Sequence, residues 1–351
     1  MDLLERTKEI CHLYNINPSR SKGQNFLVNE KVYDEIVAAA NLTKDDTVLE
    51  VGPGLGILTA KLAEKAGRVI AVELDDKLAK YLQDGLKNSD VDNIEVINEN
   101  ILDFDVKRIF SVKSPIHPVL LPTPFGRAQG RPSRYPPRHA RGVPPLQGGE
   151  YKVVANLPYN ITSVFIRKFL TSENKPSEMV LMLQKEVAER ICAKPGDMSL
   201  LALSVQFFAV PEIIAKVPKE DFYPSPQVDS AIIKLKVKKS PLERGGSRLA
   251  RRGVLKGDGQ GDAGVASGAL TKLAAESAER DSAEANFFRL AKFGFSAKRK
   301  MLKNNLAGGL HVTPAEAEKI LVKAGFNPKA RAEDLSVEDW KKLAQLIARN
   351  T

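Results

Sequence analysis

Thr47-Val48-Leu49-Glu50-Val51-Gly52-Pro53-Gly54-Leu55-Gly56 decides the fold. The run from Thr47 to Val51 has the length and apolar content of a short buried strand. Glycine then recurs at every second position before an amphipathic stretch over residues 57–65. Glycines at a strand-to-helix turn let the chain bend tightly and let a ligand reach the backbone with no Cβ in the way. Alone, the string fits a nucleotide pocket and a plain tight turn equally well. Glu73 tips the balance, because it ends the next strand, 68–73, and lies 21 residues past Gly52. A carboxylate there can accept both hydroxyls of an adenosine ribose. Pro53 in the turn, and the absence of the longer Gly-x-Gly-x-x-Gly form, favour S-adenosylmethionine over a dinucleotide. At the end of the third strand an acceptor could bond the adenine amine; Asn100 and Asp103 are both candidates, and either fits a plain strand-end turn residue equally well.

The alternation seen here runs on along the chain. Residues 31–40, 57–65, 77–86, 163–170 and 200–208 have helical periodicity. Residues 47–51, 68–73, 94–98, 151–155 and 178–184 read as strands, and 212–217 with 230–237 as a strand pair. This order implies an α/β fold with a mostly parallel sheet, helices on both faces and an antiparallel edge. From Asn286 onward the pattern is helical only, which predicts a small C-terminal all-helical domain.

Two segments break the pattern. Residues 111–149 hold nine of the 21 prolines and cannot propagate a helix or enter a central strand. Residues 240–285 begin Gly/Arg-rich and turn Ala/Glu-rich from Ala269, where a helix is conceivable. Both carry a Pro-Leu string ending in Gly-Gly, at Pro145 to Gly149 and at Pro241 to Gly246. They read as low-complexity insertions extruded from the surface. The domain expectation is therefore 1–239 for the α/β domain, interrupted at 111–149, then 240–285 as insertion or linker, and 286–351 as the helical domain.

Bulk properties exclude more than they assign. A chain of 351 residues is long enough for two domains, and 43% hydrophobic content can fill a core in at least one of them. No stretch approaches the roughly 18 apolar residues of a membrane span, and the charged N-terminus lacks a signal-peptide pattern, so a cytoplasmic location is expected. Cys11 and Cys192 have no partners at metal-ligand spacing, so neither a zinc site nor a disulfide framework is expected. The net charge of +10 suggests nucleic acid. However, Lys113, Arg127, Arg131, Arg134, Arg138 and Arg141 supply much of it from the first insertion, so local clusters must carry that argument.

Asn156-Leu157-Pro158-Tyr159, at the end of the fourth strand, is the most informative tetrad. An adenine amine is a poor nucleophile, since its lone pair is delocalised into the ring. The Asn156 side-chain oxygen and the Leu157 carbonyl can accept the two amine hydrogens and aim the lone pair for in-line attack, with no metal needed. Pro158 holds those acceptors in place, and Tyr159 offers a ring on which an extruded base can stack. In Asp221-Phe222-Tyr223-Pro224-Ser225-Pro226, two prolines force an extended loop. Phe222 there either closes the other face of the base or plugs the core.

These residues resemble the ribosomal RNA adenine dimethyltransferases, and within them the bacterial small-subunit, kasugamycin-resistance type. The matching strings are Gly23 to Leu27, Glu50 to Gly56, Val72 to Asp75, Asn156 to Tyr159, Leu183 to Val187, Phe222 to Ser230, Phe295 to Leu306 and Arg331 to Ser336. They follow in order across nearly all of the chain outside the insertions. The resemblance implies a Rossmann-like class I methyltransferase that dimethylates two adjacent adenines near the 3′ end of small-subunit rRNA, as a monomer acting on a pre-ribosomal particle. It implies that Asn25, Leu27, Gly52, Glu73, Asn100 and Asn156 contact S-adenosylmethionine, and the same strings add Gln24, Glu50, Gly54, Gly56 and Leu74. Position 100 departs from the family, which usually has Asp there. The amide still accepts a hydrogen bond but loses the charge-assisted part, which predicts weaker cofactor binding. Lys292, Lys298, Arg299, Lys300 and Lys303, on one expected helix, would dock RNA, against the plainer reading of a solvated helix face.

Two rivals are weighed. A large-subunit adenine methylase shares the motif set, but the Gly23 to Leu27 string and the Arg331-Ala332-Glu333 string favour the small-subunit type. A non-enzymatic RNA-binding assembly factor on the same scaffold would be expected to lose Asn156 or Tyr159, and this chain has both.

Overall fold

The computed structural model describes residues 2–18, 24–87, 89–111, 150–239, 283–297 and 299–348. The two insertions lie almost wholly outside the described residues, as do Gly23 and Lys298. In chain order the first elements are α1 (Leu3–Leu13), β1 (Phe26–Leu27), α2 (Glu30–Ala40), β2 (Thr47–Val51), α3 (Ile57–Lys65), β3 (Arg68–Glu73), α4 (Asp76–Leu86) and β4 (Ile94–Asn98). There follow α5 (Arg108–Ser111), β5 (Lys152–Asn156), α6 (Thr162–Thr171), β6 (Glu178–Gln184), α7 (Lys185–Ile191), α8 (Leu200–Phe208), β7 (Ala209–Val217), β8 (Phe222–Tyr223) and β9 (Ser230–Val237). The chain ends in α9 (residues 283–294), α10 (Leu302–Leu310), α11 (Pro314–Lys323) and α12 (Val337–Ala348).

Local chemistry sets the boundaries. The Asn29 side chain caps α2 through the Lys31 amide at 3.1 Å, and Asp75 caps α4 through the Lys77 amide at 3.1 Å. In α11, Thr313 and Glu316 cap each other's backbone reciprocally, ahead of Pro314 at the first turn. Gly56, at φ +80°, makes the left-handed entry into α3.

Seven strands form one sheet in the order β4-β3-β2-β5-β6-β9-β7. The first five are parallel, while β9 runs antiparallel to both β6 and β7, as the alternation of elements predicts. Every residue of β2 is buried, Glu50 included, because the strand has neighbours on both edges and a covered layer on both faces. Connections from β2 lead first to β3 on one side and later to β5 on the other. The order therefore reverses between β2 and β5, and a crevice opens beyond their carboxyl ends. Gly52 stands at one lip and Asn156 at the other.

The chain divides into two units, Met1–Cys192 with Phe208–Lys239, and Ala193–Phe207 with Ser240–Thr351. Nearly all of α8 groups with the C-terminal helices in this division. Phe207 explains it, packing at 4.3 Å from Phe287 and 5.1 Å from Phe288, while the Gly196 amide donates to the Glu333 carbonyl at 2.8 Å. The core of the helical unit is Trp340, fully buried and stacked on Phe295.

Three helices and one strand pair have no counterpart in the sequence expectation: α1, α5, α7 and the two-stranded pair β1–β8. In that pair Leu27 lies opposite Phe222 and Phe26 opposite Tyr223. The loop expected around Phe222 is therefore part of a small antiparallel ladder.

Candidate active site

Beyond the β2 and β5 ends lies a cavity of about 400 Å³, within the range of small-molecule sites. Of the expected cofactor residues, Gln24, Asn25, Leu27, Glu50, Gly52, Gly54, Glu73, Leu74, Asn100 and Asn156 all line it. Gly56 does not, since its part is to begin α3. Asp103 is exposed and absent from the wall, which leaves Asn100 as the acceptor candidate at that strand end.

The glycine turn is built for close approach. Gly52 and Gly54 hold φ of +66° and +57°, and a Cβ on Gly54 would sit 3.2 Å from the Phe26 ring. The Gly54 amide donates to Glu73 Oε2 at 3.1 Å and the Asp75 amide to Glu73 Oε1 at 2.9 Å. Two backbone donors thus fix the carboxylate, and each oxygen keeps a lone pair for further donors. Burial pushes the Glu73 carboxyl up, and those backbone bonds counter it.

Glu50 is the anomaly. It is 1% exposed in the middle of the sheet, and neither carboxylate oxygen makes a hydrogen bond among the described residues. Burial pushes its pKa up to about 8, with the Thr59 hydroxyl countering and the Glu73 carboxylate adding to the rise. That hydroxyl acts through proximity, since it too lacks a partner of normal geometry. A buried carboxyl without a partner is costly, and in a cavity wall it is what a cationic ligand group would satisfy.

Asn156 faces the cavity. Its Nδ2 donates to the Asn25 carbonyl at 3.5 Å, which leaves Oδ1 as the acceptor end of the amide. The Leu157 amide donates to the Met182 carbonyl at 3.0 Å, so the peptide after Asn156 is anchored to β6. Leu157 itself is buried outside the wall, whereas Pro158 and Asn160 line it. Tyr159 between them is half-buried, with its hydroxyl 2.9 Å from Ser230 Oγ.

Phe222 and Tyr159 lie in different settings. Phe222 is 5% exposed and packs in the core among Tyr33, Val217 and Ile232. Pairing with Leu27 is the cause, because it sets Phe222 on the inward face of the ladder.

The basic cluster is also rearranged. Lys292 is on α9, Arg299 and Lys300 are exposed in the turn after it, and Lys303 is on α10, bonded to Glu318 at 2.6 Å. These residues do not share one helix. Sequence reasoning missed Asn160 and Ile161 in the cavity wall, although their place directly after the tetrad is a signal that could have found them.

The sheet order, the glycine turn and the acid at the end of β3 define a Rossmann-like methyltransferase. Solved structures agree on the fold. The dimethyladenosine transferase of Plasmodium falciparum gives a TM-score of 0.60 at 21% identity, covering 91% of this chain and 95% of that one. The 23S rRNA methyltransferase ErmE gives 0.58 at 24% identity, covering 92% and 100%. The chain belongs to the ribosomal RNA adenine dimethylase family, whose model matches residues 16–247. It is 37% identical over 348 residues to the ribosomal RNA small subunit methyltransferase A of Dehalococcoides mccartyi, covering 99% of this chain and 94% of the relative. Membership of a methyltransferase family carries with it the use of S-adenosylmethionine as methyl donor. Among the described residues no helix is long and apolar enough to cross a membrane.

Proposed function

We propose that this enzyme transfers methyl groups to the exocyclic amines of two adjacent adenines near the 3′ end of small-subunit rRNA. It acts as a monomer on a pre-ribosomal particle in the cytoplasm. One observation carries the reading: the Asn156 amide and the Gly52–Glu73 pair, which lie far apart in sequence, line one cavity. S-adenosylmethionine, when bound, supplies an electrophilic methyl on a sulfonium.

The chain's own residues do the rest. Glu50, buried and unpartnered, holds the ammonium end of the donor, Glu73 accepts from the ribose, and Asn100 accepts from the adenine amine. Gln24, Asn25, Leu27 and Leu74 close around the ligand, and Leu74, 67% exposed as the chain stands, has apolar surface to cover. Asn156 Oδ1 and the Leu157 carbonyl accept the target amine's hydrogens and orient its lone pair, while Tyr159 stacks on the flipped base. The small-subunit assignment over a large-subunit one rests on the relative from Dehalococcoides mccartyi, since the fold likeness to ErmE is nearly as strong.

The test is direct. Purified protein is incubated with radiolabelled S-adenosylmethionine and either undermethylated small subunits or large-subunit RNA, and the modified adenines are mapped. Label is expected on small-subunit adenines only, and Asn156→Ala is expected to be silent. Label confined to large-subunit RNA overturns the reading in favour of the resistance-type methylase, and no label on any purine overturns it altogether.

A further inference from the structure

Ser230 opens β9 at a closed position. It is 1% exposed and lies opposite Gln184 on β6 and Val217 on β7, so the sheet fixes its backbone from both sides. It cannot touch a substrate. Yet among the described residues its hydroxyl is spent on one group only, the Tyr159 phenol, 2.9 Å away and 71 residues earlier in the chain. Either hydroxyl can donate in this bond. A tyrosine ring held only at its root can swing about two torsions. Held at Oη as well, it keeps a single plane.

The remaining contacts reinforce this anchor. The Lys185 amide donates to the Asp229 carbonyl at 3.0 Å, and Asp229 Oδ1 accepts from the Lys219 amide at 3.2 Å. The strand entry that carries Ser230 is therefore tied to α7 and to the loop after β7. Burial raises the Tyr159 phenol, the bond with Ser230 counters that rise, and the Asp229 carboxylate adds to it.

We propose that Ser230 is a positioning residue for methyl transfer, fixing the plane of the Tyr159 ring against which the target base stacks. This rests on the reading of Tyr159 as the stacking platform, so the experiment separates the two. Ser230→Ala, Tyr159→Phe, the double variant and Tyr159→Ala are compared for kcat and KM on undermethylated small subunits, for S-adenosylmethionine affinity by calorimetry, and for thermal unfolding. Ser230→Ala and Tyr159→Phe are each expected to lower kcat about three- to tenfold, the worth of one hydrogen bond, with cofactor affinity unchanged. The double variant is expected to be no worse than either single one, because both remove the same bond. Tyr159→Ala is expected to lose more than either, up to about a hundredfold, through the missing stacking surface as well as the missing bond. Losses that multiply in the double variant overturn the positioning role, as does parental kcat in Tyr159→Phe. That second result decides the matter alone if Ser230→Ala does not fold. Parental activity in Tyr159→Ala overturns the stacking reading itself.

Discussion

Asn100 donates from Nδ2 to Asp103 Oδ2 at 2.9 Å, and its Oδ1 accepts from the Leu102 amide at 3.0 Å. Restoring the family's usual Asp at position 100 would set two carboxylates against each other at that distance. The gain in charge-assisted bonding to the cofactor should therefore emerge fully only when Asp103 is neutralised too. Asn100→Asp with Asp103→Asn is expected to bind S-adenosylmethionine about three- to tenfold more tightly than the parent, and Asn100→Asp alone to gain less. Calorimetric titration of the three proteins decides it, and equal affinities would remove the idea.

Glu50 makes stability depend on pH. Its folded pKa, about 8, lies above the ordinary carboxylate value, so the native state holds a proton that the unfolded chain gives up. Its contribution is complete below the ordinary value and is lost as pH rises toward 8. Between about pH 5 and 8 this group alone lowers stability by up to about 1.4 kcal/mol per pH unit. Glu73, shifted in the same direction, adds to the slope. Glu50→Gln should flatten the fall of the ligand-free melting temperature over this range. Unaltered slopes in the variant would show that Glu50 is not the proton holder. Cofactor binding should release a proton near pH 7, visible in buffers of different ionisation enthalpy.

Gly52 and Gly54 share a positive φ but differ in surroundings. A Cβ at Gly52 finds its nearest atom, the Asn156 carbonyl oxygen, at 3.8 Å, while one at Gly54 meets the Phe26 ring at 3.2 Å. Gly52→Ala should cost about 1–2 kcal/mol from backbone conformation alone. Gly54→Ala should cost more, and Phe26→Leu in that background should recover part of the difference. Denaturant midpoints measure all three, and equal costs at the two glycines would assign no role to the Phe26 contact.

Much of the fold is legible in the sequence. The strands 47–51, 68–73, 94–98 and 178–184 are strong local patterns, and the structure places them at those residues. The cavity wall followed because glycine spacing, Glu73 and Asn156 each sit at strand ends, where the topology must gather them. What failed was tertiary. β1 and β8 have two residues each, too short for any period, and their pairing sent Phe222 inward against the expectation of a loop. The break between α9 and α10 was hidden for a similar reason. A Cβ at Gly294 would fall 2.1 Å from the Trp340 ring, a constraint set by a residue far along the chain.

That break divides the basic residues into two kinds and gives a prediction for RNA binding. Arg299 and Lys300 are exposed in the turn and pair with no carboxylate at ion-pair distance among the described residues, whereas Lys303 is bonded to Glu318 on the neighbouring helix. Cations that neutralise phosphates release counterions, so each lost contact should lower the salt slope of binding by roughly one unit. Arg299→Glu and Lys300→Glu should therefore weaken binding to small-subunit rRNA and flatten its dependence on salt, with melting temperature unchanged. Lys303→Met should do the reverse, shifting the unfolding of the helical unit by up to about 1 kcal/mol while leaving the salt slope in place. Binding isotherms from 50 to 200 mM salt, at roughly the range where such slopes are steep, separate the two kinds. A slope change from Lys303→Met equal to that from the turn residues would mean that the ion pair opens onto RNA and that all three act together.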